Sequence, residues 1–143
     1  MASKLAERDR IRQALIYFQR NFPYKKDGAV LDGRDIGSVI FPDADIKFFV
    51  TADIAVRAQR RKSQYKKMGQ EHSVRDIIKK LEERDERDKT RKVSPLICMP
   101  DAIIYDNSQV SFERLNKEII EIVEKKYKSL NFKINNKKMS QTT

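Results

Sequence analysis

Apolar residues recur along this chain with two different periods, and the switches between them predict its elements. Ile11, Ala14, Leu15, Phe18 and Phe22 fall at helical spacing, so an amphipathic helix is expected from Ser3 to Asn21, closed by Pro23 and Gly28. Ala29-Val30-Leu31 then reads as a short buried strand, and Phe41-Pro42-Asp43 as a turn. Ile46 to Val50 is β-branched and aromatic and reads as a second strand. Asp53 offers an N-cap to a helix from about Ile54 to Lys67, which Gly69 breaks. Ser73-Val74-Arg75-Asp76 has the form of a capping box with Asp in place of the commoner Glu. It opens a helix with Ile77, Ile78 and Leu81 on one face, stopped by Ser94-Pro95. Ala102 to Tyr105 is a third apolar strand, and Ser111 caps a last helix bearing Leu115, Ile119, Ile122 and Val123. Helices alternating with short, fully apolar strands predict an α/β fold with parallel strands flanked by helices.

Composition narrows the class. A chain of 143 residues, 39% hydrophobic and 36% charged, is long enough for one domain with a core, expected over 1–130. Residues 131–143 read as a disordered basic tail. No apolar run reaches bilayer length and the N-terminus lacks a signal-peptide core, so a cytoplasmic protein without a membrane partner is expected. Cys98 is the single cysteine, which leaves no intramolecular disulfide and no cysteine-based zinc site; it is expected to be packed. His72, the single histidine, has no plausible partner in the sequence and is expected in a loop, so neither a histidine metal triad nor a Ser-His-Asp arrangement is expected. The net charge of +10 fits nucleic acid, an anionic surface or a small polyanion, and part of it belongs to the lysines between Lys126 and Lys138.

Three groups of residues carry candidate chemistry. The run Asp32-Gly33-Arg34-Asp35-Ile36-Gly37 follows the first apolar strand. Ligands of open α/β sheets bind at the carboxyl ends of strands. There Arg34 suits a phosphate, and Asp35 can accept from an amino or hydroxyl group. The plain alternative is a surface turn with an ordinary ion pair. Arg84, Arg87, Asp88 and Arg91 share one helix face by their spacing. They are either a solvated face of intrahelical ion pairs or a cluster whose spare guanidinium donors bind an anion bidentately. Arg57, Arg60 and Arg61 are either a basic helix surface or a group that closes over a polyphosphate near the Gly69 loop. No general base stands out. Phosphoryl transfer depends mainly on positioning and charge neutralisation, so an arginine-rich site remains compatible with it.

Taken together these residues resemble the bacterial cytidylate kinase family, the CMP/dCMP kinases. The resemblance rests on Ala2-Ser3, Ile11-Arg12, Gln19 and the continuous run from Asp32 through Phe41-Pro42-Asp43-Ala44. It continues through Arg57-Ala58-Gln59-Arg60-Arg61, Glu83 to Asp88, Arg91 and Ser94-Pro95-Leu96, in the family's order from Ala2 to Lys126. It implies a nucleoside-monophosphate-kinase fold and the reaction ATP + (d)CMP giving ADP + (d)CDP, with ATP and Mg²⁺ as cofactors. Asp35, Arg12 and Arg91 would hold the cytosine, which offers one amino donor and acceptors beside it. Ser3, Arg84 and Asp88 would contact the pentose, and Arg34 the acceptor phosphate. Arg57, Arg60 and Arg61 would be the lid arginines at the ATP phosphates, completing with Arg34 the catalytic set. Ser38 stands where the family usually has Thr, which keeps the hydroxyl.

One departure is large. No G-x-x-x-x-G-K-[ST] occurs in these 143 residues, so the phosphate-cradling loop of the family is not found. The expectation is the C-terminal portion of a kinase, an incomplete P-loop fold without its P-loop strand, keeping most of the CMP site and showing little activity alone. The alternative is an inactive remnant, or a split-gene subunit that pairs with a separate N-terminal piece. A basic nucleic-acid-binding module ranks behind both, because the arginines cluster with carboxylates and no aromatic-rich RNA-binding motif is present.

Overall fold

A computed structural model describes residues 9–21 and 28–139, leaving aside the side chains of Asp9, Arg10, Arg12 and residues 130–139. The elements in chain order are α1 (Asp9–Asn21), a single wide turn (Ile36–Ile40), β1 (Phe48–Thr51), α2 (Ile54–Lys67), α3 (Val74–Thr90), β2 (Ile103–Asp106) and α4 (Phe112–Met139). The result is a small α/β domain with a parallel two-stranded sheet and flanking helices.

Local chemistry explains most boundaries. Asp53 Oδ1 accepts from the backbone N–H of Ala55 at 2.7 Å and of Val56 at 3.4 Å, satisfying donors that the first turn of α2 leaves open. α2 ends where Gly69 takes φ +70°, a left-handed conformation that costs glycine nothing. Ser73 Oγ accepts from Asp76 N at 3.1 Å, so the capping half of the predicted box forms. The Asp76 carboxylate accepts the Ser73 hydroxyl at 2.7 Å. Ser111 Oγ likewise accepts from Arg114 N at 3.3 Å at the start of α4.

β1 and β2 pair in parallel with Phe48 opposite Ile103 and Thr51 opposite Asp106. Ile103 N donates to Lys47 O at 2.8 Å and Asn107 N to Thr51 O at 2.9 Å, extending the ladder past both ends. Parallel strands need a long crossover, which α2 and α3 supply while packing against each other. The Tyr105 hydroxyl donates to Glu118 and ties α4 to β2.

The core is small and unusually charged. Ile40, Ala58 and Ile77 are its buried apolar members among the described residues, and Asp35, Lys47 and Asp88 are buried as deeply. Charged groups enter an interior only when paired or hydrogen-bonded: Asp88 meets Arg34, and Lys47 meets Pro42 and Asp101.

Three expectations are revised, at residues 28–32, at the end of α3 and at Cys98. Residues 28–32 form no strand, and Val30 is 102% exposed. A strand exists through its neighbour's hydrogen bonds, and no described residue pairs with this apolar segment. α3 stops at Thr90, ahead of Ser94-Pro95, because the chain folds back: Leu96 N donates to Asp88 O at 2.7 Å and Arg91 Nε to Ser94 O at 2.5 Å. Cys98 is exposed rather than packed. α1 begins at Asp9, and the residues expected to precede it in the helix lie outside those described. α4 runs through Met139, into the lysine-rich end of the chain.

Candidate functional site

Arg34 and Asp35 sit on the bend between the extended segment at 28–32 and the wide turn Ile36–Ile40. Gly33 is required there by space: a Cβ would lie 2.8 Å from Ile36 Cγ1. The turn is built on Asp35, whose carbonyl accepts from Val39 N at 2.9 Å and from Ile40 N at 3.2 Å. Asp35 is 5% exposed, so its carboxylate lies beneath the surface, and the neighbouring Arg34 reaches across to α3.

That reach joins the first two groups of candidates. Arg34 Nε donates to Asp88 Oδ2 at 2.9 Å, and Arg84 Nε lies 3.7 Å from the same oxygen, one helical turn earlier on α3. Asp88 is buried while both guanidinium groups remain partly exposed. One buried carboxylate thus holds two arginines in place by a single oxygen and leaves their outer N–H groups available to an anion. Arg91, at the C-cap of α3, spends its Nε on Ser94 O, and its Nη2 is buried with no hydrogen-bond partner among the described residues. A cavity of about 360 Å³ opens beside it, lined by Arg87, Thr90, Arg91, Lys92 and Val93. A buried cationic donor lacking an acceptor carries a desolvation cost that a ligand oxygen or nitrogen would remove.

The third group is dispersed. Arg57 donates to Asp85 through two parallel bonds, Nη1 to Oδ2 at 2.5 Å and Nη2 to Oδ1 at 2.8 Å, bridging α2 and α3. Arg60 donates to Asn107 Oδ1 at 2.8 Å and Asn107 O at 2.7 Å, beyond β2. Arg61 donates to Gln64 Oε1 at 3.1 Å and lies over the Tyr65 ring, 5.2 Å from its centroid. The three arginines share one helix yet meet three separate partners. Ser3 lies outside the described residues, as does the side chain of Arg12, although its backbone is part of α1. His72 is in a loop as expected, its ring tilted at 49° against Tyr65 with 4.2 Å between centroids.

Several contributors escaped sequence reasoning. Asp85 was one of a run of acids with nothing to single it out, and its role appears only when α3 packs on α2. Lys47 is buried, donating to Pro42 O and, at 2.6 Å, to Asp101 Oδ2. A buried lysine flanked by β-branched and aromatic residues is a signal that could have marked it.

The Arg57–Asp85 pair makes a pH prediction. The hydrogen bond from Arg57 holds the Asp85 carboxyl below the usual carboxylate range, and Asp85 in turn raises the Arg57 guanidinium. A depressed carboxyl contributes stability above its unfolded pKa, about 3.9, and loses it as pH falls through the lower folded value. Asp85→Asn should therefore flatten the acid limb of the stability curve below about pH 5. Urea midpoints taken from pH 3 to pH 7 check this; an unchanged acid limb would show the pair to be unlinked to folding.

The fold and these contacts give the class first: a small α/β domain that gathers arginines around the buried Asp88, consistent with a nucleotide kinase. The comparison with known proteins then gives the family. The cytidylate kinase family model matches residues 1–125, and the chain belongs to that family. It is 46% identical over 123 residues to the cytidylate kinase of Bradyrhizobium diazoefficiens, covering 86% of this chain and 58% of that protein. It is 49% identical over 111 residues to that of Phocaeicola vulgatus, covering 78% of this chain and 48% of the relative. With the Methylococcus capsulatus enzyme it shares 42% over 124 residues, covering 87% and 55%. The chain thus spans about half the length of the curated relatives it matches.

Proposed function

We propose that this chain carries the acceptor side of a cytidylate kinase: a site for CMP or dCMP in the reaction ATP + (d)CMP giving ADP + (d)CDP. The observation that supports it most is the buried Asp88 shared by Arg34 and Arg84, which links the Asp-Gly-Arg-Asp run to the arginine face of α3. In this reading Asp35 accepts from the cytosine amino group, and Arg12 and the buried Nη2 of Arg91 donate to the acceptors on the same edge of the base. Ser3, Arg84 and Asp88 meet the pentose. Arg34, anchored through Nε, turns its remaining donors to the acceptor phosphate. Arg57, Arg60 and Arg61 exchange Asp85, Asn107 and Gln64 for phosphate oxygens of ATP and neutralise charge as the phosphoryl group passes.

ATP and Mg²⁺ are implied by the family. Among the described residues no three His, Cys, Asp or Glu side chains are grouped to hold a metal ion, so a protein-held Mg²⁺ site does not fit them. The charge neutralisation assigned to this chain is that of its arginines. No helix among the described residues is long and apolar enough to cross a membrane, and a cytoplasmic location follows from the family reading.

The second reading is a subunit or remnant that needs a separate N-terminal piece. The fully exposed Val30, in an apolar segment that pairs with nothing described, favours it. One experiment separates the two: calorimetric titration of CMP into the chain, followed by a coupled assay for CMP-dependent ADP formation. The expected outcome is measurable CMP binding with little or no ADP formation. Absence of CMP binding overturns the first reading, and robust turnover by the isolated chain overturns the expectation of an incomplete donor side. A P-loop-encoding frame just upstream of Met1 would indicate a frameshift, a wrong start or a two-piece gene.

A further inference from the structure

We infer that Arg20 is a positioning residue for the nucleotide site, clamping from α1 the wide turn that aims Arg34 and Asp35; this rests on the acceptor-side reading. The turn Ile36–Ile40 is closed by bonds five residues apart, Ile40 N to Asp35 O at 3.2 Å and Phe41 N to Ile36 O at 2.7 Å. Such a ring is wider than an α-helical turn and is rarely stable unless its surroundings determine it. A lone turn also leaves its last carbonyls without a following turn to donate to them.

Arg20 fills that gap. Its Nε donates to Ile40 O at 3.1 Å and its Nη2 to Val39 O at 2.8 Å, so one guanidinium fork takes two consecutive carbonyls. A cation at the carbonyl end of a helical turn is favourable on both hydrogen-bonding and dipole grounds. From the other side the turn rests on Lys47: a Cβ on Gly37 would lie 3.3 Å from Lys47 Cδ, and Lys47 Nζ is tied to Pro42 and Asp101. Gripped at its end by Arg20 and along its flank by Lys47, the turn fixes the backbone from which Asp35 is buried and Arg34 reaches Asp88. Arg20 itself is exposed, so replacing it loosens the turn without hollowing the core.

The test compares Arg20→Met and Arg20→Lys with the unmodified full chain, by CMP titration and by amide hydrogen exchange. Arg20→Met is expected to weaken CMP binding about tenfold, the effect of losing charge-assisted bonds that act through the turn. Arg20→Lys, a point donor that can serve one carbonyl, should fall between the two. The Val39 and Ile40 amides should exchange about tenfold faster in Arg20→Met, while those of α2 and α3 are unchanged. CMP affinity within twofold of the unmodified chain, or Arg20→Lys no better than Arg20→Met, overturns the inference. If the unmodified chain takes up no CMP, the acceptor-side reading falls. The exchange at Val39 and Ile40 still decides the clamp, and an unchanged rate there overturns it.

Discussion

Replacing Asp35 by Ala is expected to weaken CMP binding about 100-fold, the largest single effect on the nucleotide site. A hydrogen bond to a charged group contributes roughly 1.5–3 kcal/mol, and truncating the acceptor leaves the donor on the base unpaired. Asp35 is 5% exposed, so water cannot easily take the vacated place. Asp35→Asn keeps a neutral acceptor in nearly the same volume and should lose about tenfold, which separates loss of charge from loss of contact. Calorimetric titration with each variant, with circular dichroism to show that folding is retained, reads both numbers. Unaltered affinity in Asp35→Ala would place the base elsewhere.

The second large effect falls on stability. Arg34→Ala removes the 2.9 Å partner of a buried carboxylate and leaves Asp88 with Arg84 at 3.7 Å. Breaking a buried pair from one side costs up to 3–5 kcal/mol because a charge stays behind uncompensated. Arg84 and residual water reduce this to about 2–3 kcal/mol, on the order of 10 °C in melting midpoint for a domain of this size. The reverse change, Asp88→Ala, frees two partly exposed guanidinium groups that can rehydrate. The double variant Arg34→Ala/Asp88→Ala is therefore expected to be more stable than Arg34→Ala alone, a non-additivity that thermal denaturation of the three variants measures. Strict additivity would mean that Arg34 does not hold Asp88.

What could be read from the sequence divides by the distance over which each feature is determined. The caps at Asp53, Ser73 and Ser111 and the break at Gly69 depend on residues at most three positions away, and all four are found as expected. The strands at β1 and β2 were legible because each is a β-rich run with a real neighbour. Ala29-Val30-Leu31 is likewise apolar but has no described neighbour, and apolarity alone could not tell the two apart. The end of α3 was misplaced because the stop is set by a chain reversal onto Asp88 rather than by Pro95. The family was legible from its motifs. The contacts that assemble the site were not: Arg34 to Asp88 and Lys47 to Asp101 each span 54 residues, and Arg57 to Asp85 spans 28. No periodicity encodes such pairings.

The charged interior described above has a thermodynamic consequence. Heat capacity and denaturant sensitivity of unfolding both grow with the apolar surface released. Among the described residues the buried set is half charged, Asp35, Lys47 and Asp88 beside Ile40, Ala58 and Ile77, so it has little apolar surface to release. A flat stability curve, a shallow urea slope and a broad thermal transition are the expected result, which urea and thermal denaturation check. On the acceptor-side reading, CMP added well above its Kd is expected to raise the denaturation midpoint of such a fold.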